Sequence, residues 1–474
     1  MRSGAYISLL ISLIAVAAEA GTTWTLTESA VIERALSTHL GIAAAREDAG
    51  MAAADLTSAR GAFDTTVGGQ VDHRIDKSAS MAPQIFGTRT DTTRYELDAS
   101  KRWPTGTETA LSFGNTKRRV DGSAFINPTE YESLLSLDVT QPLLKNGAGI
   151  ADRRNVSAAR EAFKAADAAV QRRVQEAVRA SLDWYWRIVF SQREVAVAQR
   201  AITAAQAFLA ITEERYRLGT ADGTDLLAAK ANVASREANL LATKTVLEAA
   251  THGLKMELQL PLADPVAARD ALPAVRGAQP SLDGAVALAL ANRPDFRAAQ
   301  HQAEALQLKL QMAQNRKYPS LDLVGSLAIN ELSTISHGDA VGGMNNPNVL
   351  VGLRFSVPIE NRAARGVRDR ARHERAKALI DLKALENRIV HEIEERLATL
   401  PLLAGQVRSQ ERAELLQEER VALEQDQYGL GRSSSLEVIR AQDDHLAARL
   451  AAIRARSDAQ RAWLDYRLAT GQLP

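Results

Sequence analysis

The residues best placed to act on something lie in two strings, RYRLGTADGTDLLAAK from Arg215 and QYGLGRSSSLEVIRAQ from Gln427. Each puts a tyrosine three residues before a glycine and a carboxylate six residues after it: Tyr216, Gly219 and Asp225, then Tyr428, Gly431 and Glu437. The glycine takes the left-handed conformation that ends a helix. An acid opening the next helix, as Asp225 does, is favoured by the helix dipole. Glu437 and Arg440 stand at i and i+3, where carboxylate and guanidinium pair. None of this is catalytic chemistry. The chain has no HExxH, no GxSxG and no phosphate loop, and the GxG at Gly147 lacks its third glycine. Cysteine is absent, which removes thiol catalysis and thiolate metal sites, and the eight histidines show no paired spacing. The reading is a non-enzyme without cofactor or metal.

The elements that must position these strings are written twice. ALSTHLGIAAAR from Ala35 aligns with ALANRPDFRAAQ from Ala289, residues 60–69 with 316–325, LDVTQPL from Leu137 with LRFSVPI from Leu353, and the two tyrosine–glycine strings with each other. Four matches in one order make a tandem duplication. The first repeat covers 21–260 and the second 281–474. Between them, 261–280 carries Pro261, Pro265, Pro273 and Pro280 and reads as a linker. Each repeat reads as helix, strands, long helix, tight turn, helix.

Strands are expected at about 62–141 and 319–358, where apolar side chains alternate with polar ones. Stripes such as Phe63, Val67 and Val71, or Val349, Val351, Leu353 and Phe355, face one way. Tyr95 and Tyr131 belong to the same kind of stripe, while Asp72, Glu96, Asp98, Ser136, Asp138 and Ser326 face the other way. The runs match the roughly 9 to 11 residues of a tilted membrane strand. A short turn at Pro104-Thr105-Gly106 contrasts with long polar loops at about 75–92, 119–130 and 331–348, the asymmetry of outer-membrane barrels. A soluble antiparallel sheet would alternate in the same way. The N-terminus weighs against it: Arg2, an apolar run from Ala5 to Ala18 and Ala18-Glu19-Ala20 make 1–20 a secretory signal peptide. No cysteine follows that could carry a lipid anchor. Six strands are too few for a barrel and membrane edges must be paired, so several chains must close one barrel together.

Helical hairpins follow, at about 150–258 and 362–470. Each long arm is close to 69 residues, roughly 100 Å by helix rise. The return helix and the opening helix of a repeat (about 28–60 or 282–317) stack end to end to match it. Apolar stripes such as Leu385, Ile389, Ile393 and Leu397 pack each helix on a neighbour. Pro401 and Gly405 should interrupt the second long helix near the height of Trp184 and Trp186, giving a kink or a thickened belt. With 58 basic and 57 acidic residues the chain is nearly neutral, which argues against nucleic acid as a partner.

Together these features resemble the TolC family of outer-membrane efflux proteins over about 25–474. The run around Pro294, the YPSLDL strand start at Tyr318, the strand exit at Pro358 and the two YxLG tips carry the resemblance. It implies a fold that is mainly α with membrane β: a homotrimeric composite β-barrel continued by a long α-helical coiled-coil barrel. It implies a passive duct in the outer membrane and its lipid, serving a tripartite efflux or type I secretion system. A periplasmic adaptor (membrane fusion) protein and an inner-membrane pump, proton-driven or ATP-driven, would open its tip. The family's gate tyrosine falls on Tyr428, with Thr224 and Asp225 opposite; a tyrosine hydroxyl donating to the Asp225 carboxylate would be a charge-assisted bond that an adaptor could break. The first acid of the family's constriction falls on Glu437, but the second position holds Arg440, and the gate arginine position holds Ser433 beside Arg432. The adaptor would dock on Leu218, Gly219 and Thr220 and on Leu430, Gly431 and Arg432. An extra hairpin at about 92–118 would make the barrel eighteen-stranded rather than twelve-stranded. The competing reading is a periplasmic coiled-coil protein without a pore.

Overall fold

The computed structural model describes residues 23–474 apart from 80, 125, 127, 128 and 275–279, so the leader at 1–20 lies outside the described residues. In chain order the elements are β1 (Trp24–Leu26), α1 (Glu28–Thr38), α2 (Leu40–Arg60), β2 (Thr65–Asp76), α3 (Pro83–Phe86), β3 (Arg89–Arg102), β4 (Glu108–Asp121) and β5 (Thr129–Pro142). Then come α4 (Ile150–Arg217), α5 (Gly223–Glu257), β6 (Val266–Ala268), α6 (Leu282–Asn292), α7 (Pro294–Asn315), β7 (Ser320–Ser333), α8 (His337–Gly342), β8 (Asn346–Ser356), α9 (Arg362–Gly429) and α10 (Ser435–Ala469). The two repeats match in helix length: α4 and α9 have 68 residues each, and α5 and α10 have 35 each.

The chain divides into two compact units, one of residues 46–169 and 295–385, the other of residues 23–45, 170–294 and 386–474 among those described. The first holds a six-stranded antiparallel sheet in the order β2-β3-β4-β5-β7-β8. Its register lines up one apolar row across the strands: Leu97 opposite Phe113, Phe113 opposite Leu135, Leu135 opposite Ile329, and Leu137 opposite Leu327, which faces Val349. This row is not a core. Leu97 is 61% exposed and Val349 is 68% exposed. The row ends where α8 lies over it. His337 packs edge-on against Tyr131 at 4.7 Å and Tyr95 at 6.2 Å, Ala340 is buried, and beneath them Asn115 donates to Ser133 at 2.7 Å. The two tyrosines expected on the open stripe are therefore partly covered by a loop helix. That cover is what lets a polar Asn–Ser pair occupy the apolar face.

The β3–β4 hairpin turns at Pro104-Thr105-Gly106, closed by Gly106 N–H on Trp103 O and Trp103 N–H on Thr107 O, both 2.8 Å. Gly149 packs against this turn so closely that a Cβ there would fall 2.1 Å from the Pro104 carbonyl oxygen, and its φ of 68° also demands glycine. At the bends into α4 and α9, Asn146 and Asn361 take left-handed φ of 59° and 47°. The Asn315 side chain accepts from Asn146 N–H at 2.8 Å, and the Asn361 amide donates to Lys317 O at 3.0 Å, so both bends are tied to the turn between α7 and β7.

In the second unit the opening helices differ from the expected single spans. Each breaks once, at His39 (ψ 117°) and Arg293 (ψ 120°), which are equivalent positions of the two repeats. Pro294 drives Arg293 out of the helical region. In the first repeat the His39 ring accepts the Gly41 N–H at 3.0 Å and caps α2 instead. The stretch read as a linker also does more than connect. β6 pairs in parallel with β1, the Trp24 indole donates to Asp264 at 3.0 Å, and Tyr185 donates to Asp270 at 2.6 Å. Tyr185 is fully buried, and burial beside Asp270 pushes its phenol well above the ordinary tyrosine range. Around it Leu26, Val31, Leu182, Trp186, Leu254, Leu464 and Leu473 form the main core. Gly253 lets α5 approach the Trp184 ring, where a Cβ would sit 2.6 Å away. The core thus gathers at Trp184 and Trp186, where the start of the chain and the segment after α5 pack on α4. The interruption of α9 does not occur: the helix runs through Pro401. A proline inside a helix costs about 3 kcal/mol, but Ile389, Ile393 and Val407 are buried on either side, each contributing roughly 2 kcal/mol.

Candidate functional site

Both hairpin tips close with the same hydrogen bonds. Gly219 N–H reaches Tyr216 O at 3.0 Å and Thr220 N–H reaches Arg215 O at 2.8 Å; Gly431 N–H reaches Tyr428 O at 3.0 Å and Arg432 N–H reaches Gln427 O at 2.8 Å. This is the Schellman pattern, with φ of 76° and 74° at the two glycines. Asp222 then caps α5 by accepting Asp225 N–H at 2.9 Å, and Ser434 caps α10 by accepting Glu437 N–H at 3.3 Å. The turns leave Leu218 and Leu430 protruding, 65% and 68% exposed, with Gly219, Thr220, Gly431 and Arg432 exposed beside them.

Behind the turns the two repeats part company. Tyr216 is 49% exposed, whereas Tyr428 is 4% exposed. Its ring packs on Phe208 at 5.1 Å and under the Arg215 guanidinium at 4.5 Å, and Arg215 also donates to the Tyr428 carbonyl. The hydroxyl lies 3.5 Å from Thr212 Oγ1, and Ala229 and Val438 complete the cluster. Asp225 accepts instead from the hydroxyl of buried Ser435, the first residue of α10. Its carboxylate thus serves the positive ends of α5 and α10 together. Further in, Asn232 donates to Gln442 at 3.3 Å and buried Arg236 donates to Asp443.

Of the residues singled out from the sequence, the structure brings Asp225 to α10 and Tyr428 to α4, but not Tyr428 to Asp225 within the chain. Glu437 accepts from Arg440 at 2.9 Å, and Thr224 is exposed. Ser433, at the gate arginine position, donates to Glu424 at 2.7 Å. Sequence reasoning missed Phe208, Thr212, Arg215 and Ser435. Arg215 and Ser435 left a signal, since both stand inside the duplicated string, where the other repeat has Gln427 and Gly223. A cavity of about 190 Å³ lies among the four helices, lined by Arg200, Arg236, Val421, Gln442, His445 and Arg449. Burial holds the His445 imidazole below its usual range.

The family model of the outer membrane efflux protein matches residues 31–256 and 285–472, and the chain belongs to that family. Solved structures agree in fold. The outer-membrane channel OprN is 19% identical with a TM-score of 0.71, covering 94% of this chain and 89% of its own. VceC from Vibrio cholerae is 17% identical with a TM-score of 0.67, over 94% and 96%. The CmeC outer membrane channel of Campylobacter jejuni is 17% identical with a TM-score of 0.68, over 96% and 90%. Comparison with curated protein sequences returns no match. The chain is thus an outer-membrane efflux duct that works with adaptor and pump partners, and it is not an enzyme.

Proposed function

We propose that three copies of this chain close one eighteen-stranded barrel in the outer membrane, continued by a helical tunnel through the periplasm that stays shut at its tips. The observation that carries this reading is the six-stranded sheet, with its apolar face exposed and one edge each of β2 and β8 unpaired among the described residues. The open apolar face suits hydrocarbon, but unpaired strand edges are not tolerable for a single chain in lipid. Because six is an even number of antiparallel strands, β8 of one copy meets β2 of the next antiparallel, and three copies close without a mismatch.

The gate lies at Thr224, Asp225, Tyr428, Glu437 and Arg440. Tyr428 acts by locking α9 onto α4, and Asp225 by stapling α5 to α10, so releasing either loosens the tip. Glu437 is neutralised by Arg440, which leaves the constriction without a strong preference for cations. A periplasmic adaptor docks on Leu218, Gly219 and Thr220 and on Leu430, Gly431 and Arg432, and an inner-membrane pump, proton-driven or ATP-driven, supplies the cargo.

The chain has no cysteine, so single cysteines introduced along β2 and β8 are uniquely reactive. Oxidation in lipid is expected to link chains into a closed trimer at alternate positions. Absence of interchain links in every register contradicts the composite barrel.

A further inference from the structure

We infer that the helix-side rim of the barrel is a binding collar for anionic phospholipid headgroups of the periplasmic leaflet, an inference that rests on the outer-membrane reading above. The two ends of the six-stranded sheet carry different charge. The segments joining strands to helices, 60–64, 101–108, 143–154, 315–320 and 357–368, hold eleven basic and four acidic residues. The loops at the opposite end, 76–90, 117–130 and 331–346, hold five of each. Charge alone at a helix-side rim could be spent on internal ion pairs. Here much of it is not: Lys145, Arg316, Arg362 and Arg365 are exposed and have no acidic partner among the described residues.

The outward face of the same rim is built for an interface between water and hydrocarbon. Lys101 continues the apolar parity of Leu97 and Ala99 on β3, and its ammonium lies 4.9 Å from the Trp103 ring centroid. The Trp103 indole donates to Thr109 at 3.1 Å, which fixes the ring at the strand end. Tyr318 and Ile359, 58% and 90% exposed, stand beside the free cations in sequence. An aromatic anchor with a lysine reaching past it is how side chains meet the headgroup level. Cations there meet phosphate, and an anionic lipid adds net charge that a zwitterionic one lacks. Each basic residue near such a surface strengthens association about fivefold.

The test reconstitutes the full purified protein into nanodiscs of phosphatidylcholine, with or without a minority of phosphatidylglycerol. It reads the phosphatidylglycerol retained in native mass spectrometry and the unfolding midpoint of the inserted protein. Wild type should retain phosphatidylglycerol selectively and unfold at a higher temperature with it, and high salt should erase both effects. The combined variant Lys101→Gln, Lys145→Gln, Arg316→Gln and Arg362→Gln should insert in phosphatidylcholine as wild type does but lose selectivity by about tenfold or more. The loop-end variant Lys117→Gln, Arg118→Gln and Arg119→Gln should keep it. Wild-type protein that inserts without preferring phosphatidylglycerol overturns the collar, as when acidic groups of a neighbouring copy neutralise it. Equal losses in both variants, or a preference indifferent to salt, overturn it too. Failure to insert in either lipid speaks against the duct itself and is a separate result.

Discussion

Tyr428 and Tyr216 descend from one duplicated position, yet one is buried under Arg215 and the other points to solvent. The difference follows from neighbours: Phe208 and Thr212 on α4 make a seat for the second-repeat ring. Tyr428→Ala is expected to cost about 3 kcal/mol and to make the channel leak, whereas Tyr216→Ala should cost less than about 0.5 kcal/mol; thermal unfolding and conductance separate the two. Asp225→Ala leaves Ser435 without its acceptor and two helix ends without their anion, and should lower the unfolding midpoint by the equivalent of about 1 kcal/mol or more. His445 adds a pH dependence. Its imidazole is held below the ordinary value by burial, with Glu414 and Glu418 of α9 partly opposing that effect and Arg449 reinforcing it, while Arg236 and Arg200 line the same cavity. The unfolded chain therefore binds the proton first, so stability is full above about pH 6.5 and falls as the pH drops toward the lowered native value. His445→Leu should flatten that part of the unfolding profile. None of these pairings was legible in the sequence, because Tyr428 and Thr212 stand 216 residues apart and Asp225 and Ser435 stand 210 apart.

At the scale of elements, more could be read. The tip turns, the return helices and the extra β3–β4 hairpin lie where glycine position, residue spacing and strand alternation put them. The breaks at His39 and Arg293 escaped, although Pro294 announces the second, because the first rests on a ring-to-backbone bond that has no sequence signature. The pairing of β6 with β1 escaped for a different reason: a three-residue strand is too short to show a period. The interruption expected at Pro401 failed because burial on both sides outweighs one lost hydrogen bond. Two glycines at the α9 tip give a local test of the turn. Gly429 is helical and a methyl group there would meet nothing within 4 Å, so Gly429→Ala should raise stability by about 0.5 kcal/mol. Gly431 has φ of 74°, and Gly431→Ala should lower it by about 1 kcal/mol. Opposite shifts in the unfolding midpoint are the expected result, and shifts of one sign would contradict the turn geometry.

For the whole molecule, the proposed ring of copies rests on the sheet and the proposed control of opening rests on the hairpin tips. An apolar face left open and two strand edges unpaired among the described residues are costs that a membrane and the proposed ring of chains would remove. The alternation that revealed the strands could not reveal this, since a half-solvated soluble sheet alternates in the same way. On this reading the duct is shut and its tips can be released. That is tested most directly by single-channel conductance in a planar bilayer, comparing wild type with Tyr428→Ala. Wild type should show rare, small conductance steps and the variant more frequent, larger ones. No conductance from either protein after insertion, or identical conductance from both, would contradict it.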